Sequence, residues 1–155
     1  SSDLQGWRWL AGEAGCEQLI RTPAGREFKL VGRLDRMDES DDGATSVIDY
    51  KMRARDALHA ALEMPGEDVQ LPVYALLWDH AVMQALYLSM DRDEVADVPV
   101  PGDPAALRQL AQKTRVRLAH LVDAMYAGQV MRAQGAPRAC EYCEMHGLCR
   151  RGHWP

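Results

Sequence analysis

Within the stretch SVIDYKMR, residues 46–53, an acid at Asp49 and a base at Lys51 stand two apart in an apolar run. Strand side chains alternate between faces, so Asp49 and Lys51 leave the same face as Val47, opposite Ile48 and Tyr50. A further acid, Asp35, lies upstream in GRLDRMD. With a hairpin turn centred near Asp42, Asp35 falls directly across from Asp49. Opposed side chains of a hairpin hold their Cβ atoms about 4.5–5.5 Å apart, and like charges so placed repel, which calls for a cation between them. Two carboxylates at that spacing suit Mg²⁺ or Mn²⁺, hard ions that take oxygen ligands and fill their shell with water and substrate phosphate oxygens. Lys51 could orient the attacking water or offset charge on a scissile phosphate. The chemistry is phosphodiester hydrolysis. Glu17, near the end of the first strand, could add a third carboxylate, and its spacing fits a solvent-facing strand residue equally well. A purely structural alternative pairs Asp49 with Lys51, and Asp35 and Asp38 with Arg33 and Arg36. The acidic turn at 39–42 reads as solvated.

The elements that must hold these residues follow from the pattern. CEQLIRT, EFKLVGRLDRMD and TSVIDYKM read as three strands of an antiparallel meander, punctuated by PAGR and ESDDGA. RARDALHAALEMPGED is a polar connection with a short helix around residues 56–62. DVQLPVYALLWDHA has helical apolar spacing, with Pro72 tolerable only in a first turn. MQALYLSM is strand-like, and EVADVPV reads as a short edge strand because its prolines cannot donate to a ladder. From Asp103, an N-cap followed by Pro104, a helix is expected to run to about Gly128, with Leu107, Leu110, Ala111, Leu118, Leu121, Val122 and Met125 as its apolar stripe. The order of elements predicts a mixed α+β (α/β) fold: a central mixed sheet containing the meander, flanked by helices.

The chain of 155 residues, 47% hydrophobic, is enough for one compact core. Its formal net charge of −5 is unevenly distributed: 10 basic and 20 acidic residues through Leu107, then 8 basic and 3 acidic from Arg108 onward. The C-terminal part could therefore face phosphates, as a solvated helix face could also explain. No run reaches the roughly 18–20 apolar residues of a membrane span, and the start lacks a signal-peptide core, so no membrane partner and a cytoplasmic location are expected.

GRLDRMD, VIDYKM and QLPVYA, in that order, resemble the nuclease domain of the PD-(D/E)XK superfamily, in the RecB and AddB type of bacterial helicase–nuclease complexes and of CRISPR-associated adaptation exonucleases. That pattern is a Gly-x-x-Asp strand, then Asp-Tyr-Lys, then Gln-x-x-x-Tyr on a helix. Here these are Gly32 to Asp35, Asp49 to Lys51, and Gln70 with Tyr74. The resemblance runs from about Glu17 to Cys149. It implies a restriction-endonuclease-like core and Mg²⁺-dependent, exonuclease-type cleavage of DNA in repair or recombination, beside a helicase or helicase-like partner. It further implies Asp35 and Asp49 as metal ligands, the Tyr50 backbone carbonyl as another, Lys51 as the catalytic lysine, and Gln70 and Tyr74 near the active site and DNA. Glu17 sits where the family often carries a strand Glu close to the metal. By residue type alone, Tyr74 reads as core and Gln70 as a helix-start residue.

The tail CEYCEMHGLC gives Cys140-x2-Cys143-x5-Cys149, resembling the C-terminal cysteine cluster of AddB-type nucleases, three of the four ligands of a [4Fe–4S] cluster. Spacing alone serves Zn²⁺ almost as well, with His146 or His153 completing the set. Unliganded thiols are a third option. The family's metal-site His and fourth cluster Cys lie upstream of the Gly-x-x-Asp strand, whereas this chain has no His before His59, and its only other cysteine is Cys16, in the first strand. The chain begins without Met, so the expectation is a piece of a longer polypeptide: a nuclease core over 1–139 and a cysteine-rich tail over 140–155, cutting DNA weakly or not at all by itself. The competing function is a catalytically incomplete DNA-binding or scaffolding module with a nuclease fold. A zinc-dependent interaction module would explain the tail but not the hairpin.

Overall fold

The computed structural model describes residues 6–64, 66, 68–78, 81–91, 94–130, 140–141 and 143–149. Five strands form one sheet in the order β1-β2-β3-β4-β5. A long hairpin comes first: β1 (Trp7–Arg21) and β2 (Glu27–Ser40) pair antiparallel. A turn with Gly43 at φ 80, a value glycine takes without steric cost, leads into β3 (Thr45–Lys51), antiparallel to β2. The chain then leaves the sheet through α1 (Arg55–Leu62) and α2 (Gln70–Leu77) and returns as β4 (Val82–Asp91), parallel to β3. Parallel neighbours need such a crossover, and here the crossover carries site residues. β5 (Glu94–Pro99) closes the sheet antiparallel to β4, and α3 (Pro104–Tyr126) packs across α2. The fold is thus the expected mixed α+β arrangement, a mixed sheet with an antiparallel meander, flanked by helices.

Leu34, Met37 and Val47 from the sheet meet Leu58, Leu71, Leu77 and Leu107 from the helices in a single buried cluster. α3 starts where its sequence directs: Asp103 Oδ1 accepts the Ala106 N–H at 2.7 Å, and Pro104 fills the first position, where no N–H is needed. Its buried face differs from the expected stripe. Thr114 and Ala119 are inside, while Met125 is 60% exposed. Thr114 is tolerated there because its hydroxyl donates to the Leu110 carbonyl at 2.9 Å, so no polar group is buried unpaired.

The first strand also departs from expectation. It begins at Trp7, well before CEQLIRT, through Ala, Gly and Glu positions of low strand propensity. Cross-strand pairing with β2 overrides that propensity, from Trp7 opposite Ser40 to Arg21 opposite Glu27. Among the described residues no helix is long and apolar enough to cross a membrane. The tail contributes a short helix, α4 (His146–Cys149). The expected boundary between 139 and 140 falls against a stretch outside the described residues.

Candidate active site

The β2–β3 ladder runs from Glu39 opposite Thr45 to Arg36 opposite Ile48. One step further, where Asp35 stands against Asp49, the backbone ladder stops and a side chain takes over: Asp35 Oδ2 accepts the Tyr50 N–H at 3.2 Å. The inward phase of β2 changes at the same place. From Phe28 to Leu34 the even-numbered residues turn in, and then Met37 is buried. A one-residue change of phase exchanges faces, so Asp35 joins the side of Met37 and Val47 rather than that of exposed Arg33. Across on β1, the residue facing Asp35 is Glu13, at φ 52, a left-handed backbone that kinks the strand. Glu13 also takes Arg33 as an ion pair at 2.6 Å, while Arg36 binds Asp38 through two contacts of 2.7 Å. Of the purely structural pairings, Arg36–Asp38 and Asp49–Lys51 exist. Among the described residues no cation pairs with Asp35.

Asp49 is 2% exposed. Its Oδ1 accepts from Gln70 Nε2 at 2.6 Å, and its Oδ2 lies 2.6 Å from Lys51 Nζ. That second contact is an ion pair without hydrogen-bond alignment, which leaves Oδ2 a buried oxygen with no directed donor. Lys51 Nζ also donates to Gln70 Oε1 at 2.8 Å, and Gln70 Nε2 donates to the Tyr74 hydroxyl at 2.9 Å. Only one amide orientation serves all three partners, because an ammonium can only donate and a carboxylate only accept. Gln70 and Tyr74 are one helical turn apart on α2 and so address the same point. Tyr74 accepts from Gln70, and its hydroxyl also lies against Asp49, whose carboxylate it helps to stabilise.

Two further residues hold this group, and the sequence reading missed both. The Tyr87 ring, 1% exposed on β4, lies with its centroid 5.2 Å from Lys51 Nζ, close enough for cation–π attraction. Its hydroxyl donates to Asp68 Oδ1 at 2.7 Å, and that same oxygen accepts the Gln70 N–H at 3.1 Å, at the start of α2. A chain of contacts therefore runs from the sheet to the head of the helix that carries Gln70. Parallel pairing of Asp49 with Tyr87 was the signal that could have revealed it, since it requires knowing that β4 lies beside β3.

The electrostatics match the burial. Burial pushes the Asp49 carboxyl above the usual range, Lys51 draws it back, and the charge of Asp35 pushes it up again. Burial likewise raises the Tyr74 and Tyr87 hydroxyls, Tyr87 further because it donates to Asp68. A buried carboxyl that ionises reluctantly, such as Asp49, is one that a divalent cation would relieve. The donors fit one: Asp49 Oδ2 is a buried oxygen without a hydrogen bond, and Asp35 supplies a second carboxylate from the facing strand. Two carboxylates with substrate oxygens are a usual set for Mg²⁺. Among the described residues no group of three or more His, Cys, Asp or Glu side chains is gathered to hold a metal.

Glu17 stands apart from this group. It pairs opposite Val31, four positions along β2 from Asp35, which is roughly 13 Å at the rise of a strand. Its side chain is 63% exposed and bound to Lys29 at 3.0 Å, so in this arrangement it is the solvent-facing strand residue that its spacing also allowed. Tyr50 turns its side chain outward, and its N–H is engaged with Asp35. In the tail, Cys140, Cys143 and Cys149 are half-buried and not disulfide-bonded, with Cys143 N–H reaching the Cys140 carbonyl at 3.3 Å. Among the described residues they form no group of three or more metal-ligating side chains. His153 lies outside the described residues, as does the side chain of His146. Cys16 packs against the core from β1, and burial raises its thiol, which disfavours the thiolate a metal needs.

A model of the PD-(D/E)XK nuclease superfamily matches residues 2–150. A CRISPR-associated exonuclease Cas4 of Saccharolobus solfataricus is 25% identical over 128 residues, covering 81% of this chain and 54% of that protein. The chain thus spans about half the length of the curated relative it matches. A crystal structure of SSO0001 aligns with a TM-score of 0.48 at 22% identity, over 95% of this chain and 62% of that one.

Proposed function

Since the chain belongs to the PD-(D/E)XK nuclease superfamily, we propose that it hydrolyses DNA phosphodiester bonds with Mg²⁺ or Mn²⁺, held by Asp35 and Asp49 with the Tyr50 carbonyl as a further ligand. The observation that carries this reading is Asp49 Oδ2: buried, without a directed donor, and faced by a second carboxylate. When bound, the cation supplies Lewis-acid polarisation of the phosphate and a more acidic water. The chain's own residues do the rest. Gln70 fixes Asp49 through Oδ1, while Oδ2, paired with Lys51 at 2.6 Å, is the oxygen that a bound cation would share. Lys51, steadied by Gln70 Oε1 and the Tyr87 ring, reaches its ammonium toward a phosphate oxygen and offsets the charge that grows there as water attacks in line and the P–O bond breaks. The Tyr74 hydroxyl adds a hydrogen-bond donor beside Asp49.

The named exonuclease relative supports cleavage from DNA ends, and a role in repair or recombination with a helicase partner in the cytoplasm extends the same reading. Arg108, Lys113, Arg115 and Arg117 are exposed on α3 and suit the DNA backbone. For the tail, three closely spaced cysteines favour a [4Fe–4S] cluster, with Zn²⁺ as the alternative; no step of cleavage is derived from either. Calorimetric titration with Mn²⁺, together with cleavage of end-labelled DNA, tests the central claim. Asp49→Asn should lose both metal binding and cleavage, and Lys51→Met should keep binding and lose cleavage. Undiminished Mn²⁺ binding by Asp49→Asn would overturn the metal site, and metal binding without cleavage in the parent chain would point to the scaffold instead.

A further inference from the structure

β1 is the outer strand of the sheet, and among the described residues no strand pairs with its outer edge. An open edge is a template for another strand. The two halves of this edge differ. From Trp7 to Glu13 it is broken by a register shift between Trp9 and Ala11 and by the left-handed backbone of Glu13, features that spoil pairing. From Ala14 to Arg21 the register is continuous, with neither Pro nor Lys to blunt it. Thr22 N–H donates to the Arg26 carbonyl at 2.8 Å. Backbone groups of an antiparallel strand alternate sides, so even-numbered residues here face β2, and Glu17, Leu19 and Arg21 turn their N–H and C=O groups to the open edge. Nor do the helices fill the space alongside: a cavity of about 330 Å³ opens between residues 18–20 and Leu76, Trp78, Gln112 and Arg115.

The side chains of the same three residues are self-complementary. Leu19 is 60% exposed, with an acid two positions before it and a base two positions after it. A two-fold axis at Leu19 brings Leu19 against its own counterpart and Glu17 against Arg21 of a second copy. Other centres on residues that turn their backbone groups to the edge fail: an axis at Glu17 or Arg21 sets a charge against itself, and one at Gly15 sets Glu17 against Glu13. The existing ion pairs of Glu17 with Lys29 and of Arg21 with Glu27 are exposed and weakly held, so neither prevents a new partner.

We infer that the chain forms a two-fold dimer by antiparallel pairing of β1 with β1 of a second copy, centred on Leu19. Such an interface is isologous and closes at two copies. Sedimentation across a concentration series should show the 17.3 kDa chain doubling its mass. Glu17→Arg or Arg21→Glu alone should leave a folded monomer by circular dichroism, and the two together should restore the dimer. In mild oxidant Leu19→Cys should cross-link, because a hydrogen-bonded antiparallel pair holds Cα atoms about 5.5 Å apart, within disulfide reach. Val31→Cys, one strand in, should cross-link no more than the parent chain. A chain monomeric at every concentration would overturn the inference and leave the edge to a different strand, and so would a dimer indifferent to both single charge changes.

Discussion

At the scale of single residues, Asp49 is held from two sides. Gln70 donates to one oxygen and Lys51 pairs with the other, so repulsion from Asp35 is only part of its surroundings. Removing its side chain therefore does more than relieve repulsion: Asp49→Ala takes one acceptor from the Gln70 amide and the carboxylate partner from Lys51, which then keep only Tyr74 and each other. Leaving buried polar groups unpaired costs about 1–3 kcal/mol, so this variant should melt earlier than the parent in metal-free buffer. Asp49→Asn keeps an acceptor for Gln70 and should melt close to the parent while losing cleavage. If Asp49→Ala is as stable as the parent, the hydrogen bond from Gln70 and the ion pair with Lys51 contribute nothing net. Tyr87 offers a second case, because its ring and its hydroxyl have separate tasks. Tyr87→Phe keeps the ring over Lys51 but deprives Asp68 of a donor and loosens the start of α2. A stability loss of about 1 kcal/mol is expected from one lost hydrogen bond. Cleavage should fall several-fold at unchanged Mn²⁺ affinity, whereas a purely structural tyrosine would leave the rate of the folded enzyme unchanged.

Among the elements, the glycine of the Gly-x-x-Asp strand has a packing reason. A Cβ built on Gly32 would lie 2.5 Å from Leu77 Cδ1, and Leu77 is itself buried at the end of α2. The bare backbone lets the helix bearing Gln70 and Tyr74 lie close on β2. Gly32→Ala must displace Leu77 or the helix, and overpacking of this kind costs about 1–3 kcal/mol. The variant should melt earlier and cleave more slowly, as the Gln70 end shifts with α2; parent-like stability and rate would show that Leu77 simply swings aside. This also explains what the sequence could reveal. Local spacing placed α1, α2 and the cap at Asp103, and the turn near Asp42 set the register that faces Asp35 with Asp49. The phase change in β2 was hidden, as was the left-handed backbone of Glu13 opposite it, which a glutamate seldom announces. Tyr87 and Asp68 were hidden for a similar reason. Their contact with Lys51 and Gln70 exists only once β4 returns parallel to β3, and no local pattern encodes a neighbour across a crossover.

Across the whole molecule, the β1–β2 hairpin is tied to the far end of α3 by Asp123. Its Oδ2 accepts the Ala24 N–H at 2.9 Å and its Oδ1 takes Arg26 at 3.1 Å, while the Arg26 guanidinium lies 5.1 Å from the Tyr126 ring centroid. Residues about a hundred positions apart meet here, so the contact was beyond any reading by local period. Burial alone would raise the Asp123 carboxyl, but the hydrogen bonds from Thr22, Ala24 and Arg26 outweigh it and hold the group below the ordinary carboxylate value. Folding stability depends on pH through such a difference. In the unfolded chain the group titrates near about 3.9. A folded value below that means its stabilisation is fully present above the unfolded value and disappears as pH falls through the folded one. Asp123→Asn has no carboxyl to titrate and keeps only part of the hydrogen bonding. The parent should therefore melt higher than Asp123→Asn by a constant margin near neutral pH, and the margin should shrink below about pH 4, where unfolded and then folded carboxyls take up protons. The measurement is a series of melting curves for both proteins in metal-free buffer across that range. A margin that stays constant to the lowest pH at which the chain remains folded would show that Asp123 holds the hairpin through neutral hydrogen bonds and not through its charge.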